Sequence, residues 1–101
     1  MDQIQQELES SVAAGNIEGV IGNANPNSNL AEKNLNHFRD ILQKASNLYK
    51  DGFLDKACAA LKNADRRSDG LSNPHYFITG EDVLLINRMI KALLDLWDCG
   101  Y

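Results

Sequence analysis

Residues 81–98 read EDVLLINRMIKALLDLWD, a stretch with apolar side chains around most of a helical circumference. One apolar set recurs at steps of three and four, which places it on one stripe of an α-helix, and a second set forms a neighbouring stripe. A helix this apolar must be covered by other helices or by a second copy of the chain. The first stripe contains Val83, Ile86, Ile90, Leu93 and Trp97, and the second contains Leu85, Met89, Ala92 and Leu96.

The amino-terminal segment predicts a thin amphipathic helix. Apolar residues lie four apart from Ile4 to Val12, and Gly15 behind them indicates a helix stop. Two interpretations remain open for residues 15–22, which either extend this helix or form a separate turn. The Asn-rich stretch 23–29 contains a proline and predicts a loop.

The middle of the chain predicts a helical hairpin. Asn29 and Glu32 resemble a capping box at the start of a strongly amphipathic pattern, and Asp51-Gly52 is typical of a helix end. Another helical pattern follows at once, and so short a connection makes the two helices antiparallel. The predicted helices cover residues 2–14, 30–51, 53–66 and 80–98.

The predicted fold is all-α, a single four-helix bundle-like domain over residues 1–101 with the hydrophobic C-terminal helix in its middle. We expect Thr79, helped by Asp82, to cap that helix after a polar connector at 67–78, and Gly100 to end it. The length of 101 residues and the 44% hydrophobic content are ordinary for one globular domain.

Residues 45–64 resemble a single tetratricopeptide-type helical hairpin. They follow that family's order of a small residue, an aromatic, a glycine turn, an acidic residue, an alanine, a large residue and an alanine, here Ala45, Tyr49, Gly52, Asp55, Ala57, Leu61 and Ala64. The resemblance implies docking of a peptide or protein. No second copy of the repeat is visible, and a single repeat does not build the concave groove of such arrays.

Charge and cysteine content narrow the functional classes. The net charge is −4, yet eight of the ten basic residues lie between Lys33 and Arg67. No aliphatic run is long enough to span a bilayer, and the acidic start does not resemble a secretory signal, so we expect a cytoplasmic protein without a membrane partner. In a reducing compartment, Cys58 and Cys99 would both remain thiols, with Cys58 buried as a small apolar residue.

The sequence offers little convergent chemistry. No histidine or carboxylate group has the spacing of a metal site, no glycine-rich phosphate loop is present, and we expect no cofactor. Helical nucleases of the HEPN type use an Arg and a His a few residues apart on one helix. Arg67 and His75 resemble that pair, but a Gly and a Pro between them break the helical geometry.

Three hypotheses of function follow. The leading one is a small non-catalytic protein–protein interaction or regulatory module that forms a homodimer; its expected interaction surface is Leu85, Met89, Leu96 and Trp97. The second is a nucleic-acid-associated protein, and its expected phosphate contacts are Lys44, Lys62, Arg66 and Arg67. Interleaved carboxylates weigh against a nucleic-acid partner. The third is a HEPN-like ribonuclease.

Overall fold

The computed structural model describes residues 1–19, 30–68 and 78–99. Within them, two short strands pair in antiparallel register, Glu18 with Thr79 and Gly19 with Ile78. The elements in chain order are α1 (Asp2–Ala13), β1 (Glu18–Gly19), α2 (Leu30–Lys50), α3 (Leu54–Arg66), β2 (Ile78–Thr79) and α4 (Val83–Leu96). The prediction of an all-α bundle of four helices is therefore confirmed. The loop at 23–29 and most of the connector at 67–78 lie outside the described residues.

Surface polar contacts join α1 to α2. Arg39 Nη2 lies 2.7 Å from Glu9 Oε1, and Arg39 Nε donates to Glu9 Oε2 at 2.8 Å. The bonded carboxylate raises the pKa of the Arg39 guanidinium. Further along, Gln5 donates to Gln43 at 3.2 Å. Residues 5 and 9 thus face residues 43 and 39, so the two helices run antiparallel.

Helix α4 lies between α1 and α3 and contacts both. At its start, the Asp82 carboxylate accepts a hydrogen bond from Ser11 Oγ at 2.9 Å, near the end of α1. On its other side, Asn87 Nδ2 donates to Asp65 Oδ1 at 2.8 Å, near the end of α3. The start of α4 therefore meets the ends of both neighbours. All four helices alternate in direction around the bundle, as in up-down-up-down topologies.

The core is built from one stripe of each helix. The first predicted stripe of α4 is buried throughout, which confirms its assignment to the core. The α1 pattern contributes Ile4 and Leu8, and the segment behind it contributes Ile17. The buried apolar residues are Ile4, Leu8, Ile17, Leu35, Phe38, Leu42, Ala45, Ala57, Cys58, Leu61, Ala64, Val83, Ile86, Ile90, Leu93, Leu94 and Trp97.

Three helices end in the same reversal, in which one residue adopts a positive φ and the next N–H bonds back to a carbonyl of the last turn. These residues are Gly15 at φ 79°, Gly52 at φ 85° and Asp98 at φ 58°. The N–H groups of Asn16, Phe53 and Cys99 bond to the carbonyls of Ser11, Leu48 and Leu94. The predicted stops at Gly15 and Gly52 are confirmed. The predicted end of the last helix is wrong, because Asp98 reverses the chain before Gly100 is reached.

Cys58 and Cys99 form a disulfide, so the expectation of two free thiols is wrong. The reversal at Asp98 turns Cys99 back against the bundle, where its Cα lies 5.5 Å from that of Cys58 in the second turn of α3. The two residues are 41 positions apart. Their pairing depends on the packing of α4 against α3, which cysteine spacing does not reveal.

The start of α4 also differs from the prediction. Thr79 belongs to β2, and the helix begins at Val83. Asp82 occupies the N-cap position without a side-chain capping bond. Its carboxylate instead accepts hydrogen bonds from Ser11 and, at 3.2 Å, from Asn16 Nδ2. Pairing of β2 with β1 holds the chain extended up to Thr79, so the helix starts later. Residues 18 and 19 likewise form β1 and do not extend α1.

Gly80 allows the chain to pass directly over the segment after α1. Its φ is 131°, and a Cβ built there would overlap the Asn16 carbonyl oxygen and come within 2.8 Å of the carbonyl carbon. We expect Gly80→Ala to lower the free energy of unfolding by at least about 1–3 kcal/mol, the typical strain of such a backbone conformation. Urea denaturation measures the change.

Gly15→Ala is the matched control, because Gly15 also has a positive φ but a methyl group added to it would meet nothing within 4 Å. The overlap predicts a larger loss for Gly80→Ala than for Gly15→Ala. Equal losses would mean that the close approach of residues 16 and 80 does not exist in solution.

Candidate interaction surface

The second stripe of α4 faces solvent. Leu85 is 42% exposed and Leu96 is 79% exposed, although both are large apolar side chains. Ala92 between them is also exposed, whereas Met89 is half-buried against the core. Leu84, one position before the stripe, is 53% exposed. A continuous apolar helix face of this kind is typical of a protein interaction site.

Trp97 does not contribute to this exposed face. It is 6% exposed and belongs to the core. Its ring stacks on that of Tyr49 in α2, with centroids 4.2 Å apart and an interplanar angle of 7°. This stack connects α4 with the diagonally opposite helix. Of the four residues predicted to form an interaction surface, Leu85 and Leu96 are exposed, Met89 lies at the margin and Trp97 lies beneath it.

A shallow groove of about 200 Å³ continues the apolar face toward α1. Met1 and Ile4 form its α1 side, and Met89 and Leu93 form its floor on α4. Leu96 stands at its rim. Its lining is therefore mainly aliphatic and contains the flexible side chains of two methionines, which adapt readily to an apolar partner.

Two opposite charges flank the apolar face on the side away from this groove. Arg88 and Asp95 are both exposed and lie seven residues, roughly 10 Å, apart on one side of α4. Lys91 between them pairs with Asp65 of α3 at 2.6 Å. On the polar flank of α4, Lys91 thus forms an ion pair with α3. Arg88 on one side of it and Asp95 on the other remain exposed.

The residues predicted to contact phosphates do not form one cluster. Lys44 of α2 and Arg66 of α3 line a common groove between the two helices, together with Lys56. Lys62 does not line this groove and is half-buried. Arg67 Nε donates to Asn63 Oδ1 at 3.2 Å.

The described residues contain no group of three His, Cys, Asp or Glu side chains placed to hold a metal ion. His75 lies outside them, so the spatial relation of Arg67 to His75 that the ribonuclease hypothesis needs stays untested. In the same part of the chain, no helix combines the length and the apolar character needed to cross a membrane.

Comparison with known proteins adds no family assignment. No protein-family model, curated protein or solved structure matches the chain. The function is therefore inferred from the residues and their geometry.

Sequence reasoning missed several residues that the structure brings to these surfaces. Lys56 belongs to the basic stretch from Lys33 to Arg67, but its place in one groove with Lys44 and Arg66 requires the packing of α3 on α2. Met1 and Ile4 join the face only through the antiparallel contact of α1 with α4.

Proposed function

We propose that the chain is a non-catalytic helical interaction module that forms a homodimer through the second stripe of α4. The observation that carries this proposal is the exposed apolar face containing Leu85, Ala92 and Leu96. The core of the monomer already buries the first stripe of the same helix. Burial of each exposed leucine side chain against a partner would stabilise the complex by roughly 1.5–3 kcal/mol.

The position of the charges favours an antiparallel pair of α4 helices. In an isologous antiparallel pair, Leu85 of one copy lies near Leu96 of the other, and the small Ala92 lies near the centre where close approach is needed. Arg88 then lies near Asp95 of the partner, and this pairing occurs twice. In a parallel pair, the two-fold axis runs along the helices and places the charged flanks of the two copies on opposite sides of the interface. Arg88 and Asp95 then lack the two attractive pairings that the antiparallel arrangement provides.

The disulfide indicates the redox state of the compartment in which this module functions. Structural disulfides persist in oxidising surroundings and are rare where thiols are kept reduced. The Cys58–Cys99 bond therefore supports an oxidising compartment over the expected cytoplasmic location. Experiments on the dimer should accordingly be carried out without reductant.

Sedimentation equilibrium of the oxidised chain tests the proposal. We expect a dimer, and we expect Leu85→Ser combined with Leu96→Ser to weaken its dissociation constant by roughly 100-fold or more, because four leucine side chains leave the interface. Leu54→Ser is the matched control, since Leu54 is 43% exposed but lies on α3. A wild-type chain that stays monomeric at about 100 µM, or equal weakening by the control, would contradict the proposal.

A charge reversal tests the direction of the helices. In the antiparallel dimer, Arg88→Asp places two carboxylates together and weakens association, whereas Arg88→Asp combined with Asp95→Arg restores opposite charges. The parallel arrangement predicts no rescue, because the charged flanks of the two copies lie on opposite sides of the interface and residues 88 and 95 do not meet. If Arg88→Asp weakens dimer formation and the double variant does not restore it, the antiparallel arrangement is excluded.

A further inference from the structure

A second groove, on a different side of the molecule, runs between α2 and α3 with a volume of about 700 Å³. Its floor is aliphatic and its rim carries three cations, two from α3 and one from α2. The residues that line it are Ile41, Lys44, Leu48, Lys56, Ala59, Ala60, Asn63 and Arg66. Both helices of the hairpin are thus needed to build it.

The charged residues that line this groove are all positive, although the whole chain has a net negative charge. Lys44, Lys56 and Arg66 are exposed, and no carboxylate is among the described residues that line the groove. The ion pairs formed by Arg39 and by Lys91 involve none of these three cations. A cationic rim around an apolar floor attracts a ligand that is itself anionic at its edges and apolar along its centre.

We propose that this groove binds an acidic amphipathic helix of a partner protein. Ile41 and Leu48 lie two helical turns, roughly 10 Å, apart, which matches apolar anchors at i, i+3 or i+4 and i+7 of a docked helix. Ala59 and Ala60 are small, so the backbone of the docked helix approaches α3 closely. Acidic residues on both sides of its apolar stripe then reach the three cations.

The floor favours a peptide over a nucleic acid. Binding of single-stranded nucleic acids uses aromatic side chains on which bases stack, and the described lining of this groove contains none. Aliphatic side chains instead match the leucine-like anchors of an amphipathic helix. The three cations at the rim, Lys44, Lys56 and Arg66, are therefore assigned to an acidic protein segment.

Fluorescence anisotropy with defined probes tests this assignment. The main probe is a labelled peptide of about 14 residues with Leu at helical spacing and Glu at the remaining positions. A peptide of the same composition without helical periodicity and an oligothymidylate of similar length serve as comparisons. We expect binding of the amphipathic peptide alone, and a loss of affinity of about tenfold or more for the chain carrying Lys44→Glu and Lys56→Glu.

Two controls separate the groove from general charge attraction. Lys33→Glu combined with Lys50→Glu changes the net charge equally at exposed positions of α2 outside the groove, and we expect it to retain binding. Ala59→Gln leaves the charge unchanged but obstructs the floor, and we expect it to weaken binding. Equal loss in the Lys33 and Lys50 variant, or full binding by Ala59→Gln, would overturn the proposal.

The remaining outcomes also decide the matter. Binding of oligothymidylate in place of the amphipathic peptide would assign the groove to nucleic acid and overturn the proposal. Failure of every probe to bind at about 100 µM would overturn it as well. The variant with Leu85→Ser and Leu96→Ser is expected to bind the peptide normally. The proposed peptide binding and the proposed dimer are therefore tested independently.

Discussion

Removal of the Cys58–Cys99 disulfide is expected to lower the free energy of unfolding by about 4 kcal/mol. The bond closes a loop of 41 residues, and opening it gives the unfolded chain the conformational freedom of that loop. It also releases the reversal at Asp98 from α3. Urea denaturation of a Cys58→Ala and Cys99→Ser chain, compared with the oxidised wild type, measures the loss.

The choice of substitutions and a reduced sample serve as controls. Alanine at position 58 avoids placing a hydroxyl in the core, because Cys58 is 8% exposed. The wild type treated with reductant should show a similar loss without any change in sequence. A difference below about 1 kcal/mol in both samples would contradict the stabilisation of the fold by this loop closure.

Ile90→Ala is expected to lower the free energy of unfolding by about 2–5 kcal/mol. Ile90 is fully buried at the middle of the first stripe of α4, where truncation leaves a cavity that the surrounding helices fill only in part. The measurement is denaturant unfolding at a protein concentration below that of dimer formation.

Leu96→Ala on the same helix is the control for Ile90→Ala. Its side chain is 79% exposed, so we expect a change of no more than about 0.5 kcal/mol in the monomer. Similar losses for the two variants would contradict the assignment of one stripe to the core and the other to solvent.

Helical periodicity predicted the elements and the core, because each stripe repeats within one segment. The stops at Gly15 and Gly52 were predictable since glycine adopts positive φ without steric cost. Asp98 was not, because a non-glycine residue at positive φ is uncommon and gives no clear local signal. The disulfide was not predicted for the same reason, because the reversal at Asp98 is what brings Cys99 to α3.

The start of α4 and the grooves depend on contacts between distant segments. Thr79 has the side chain of a helix cap, yet strand pairing with Glu18 removes it from that position. Leu85 and Leu96 were predicted as surface residues from their shared stripe. Trp97 was predicted both on the core stripe and on the interaction surface, and the structure keeps it in the core, stacked on Tyr49. The cationic groove requires two helices to meet, which the sequence of either helix alone does not specify.

The most direct test of the dimer is a residue-resolved dilution experiment. Amide NMR spectra of the oxidised chain from about 10 µM to about 1 mM should show concentration-dependent shifts at Leu85, Ala92 and Leu96 and constant positions at Ala59 and Asn63. Shifts confined to the α2–α3 side, or spectra that do not change with concentration, would contradict pairing through the exposed face of α4.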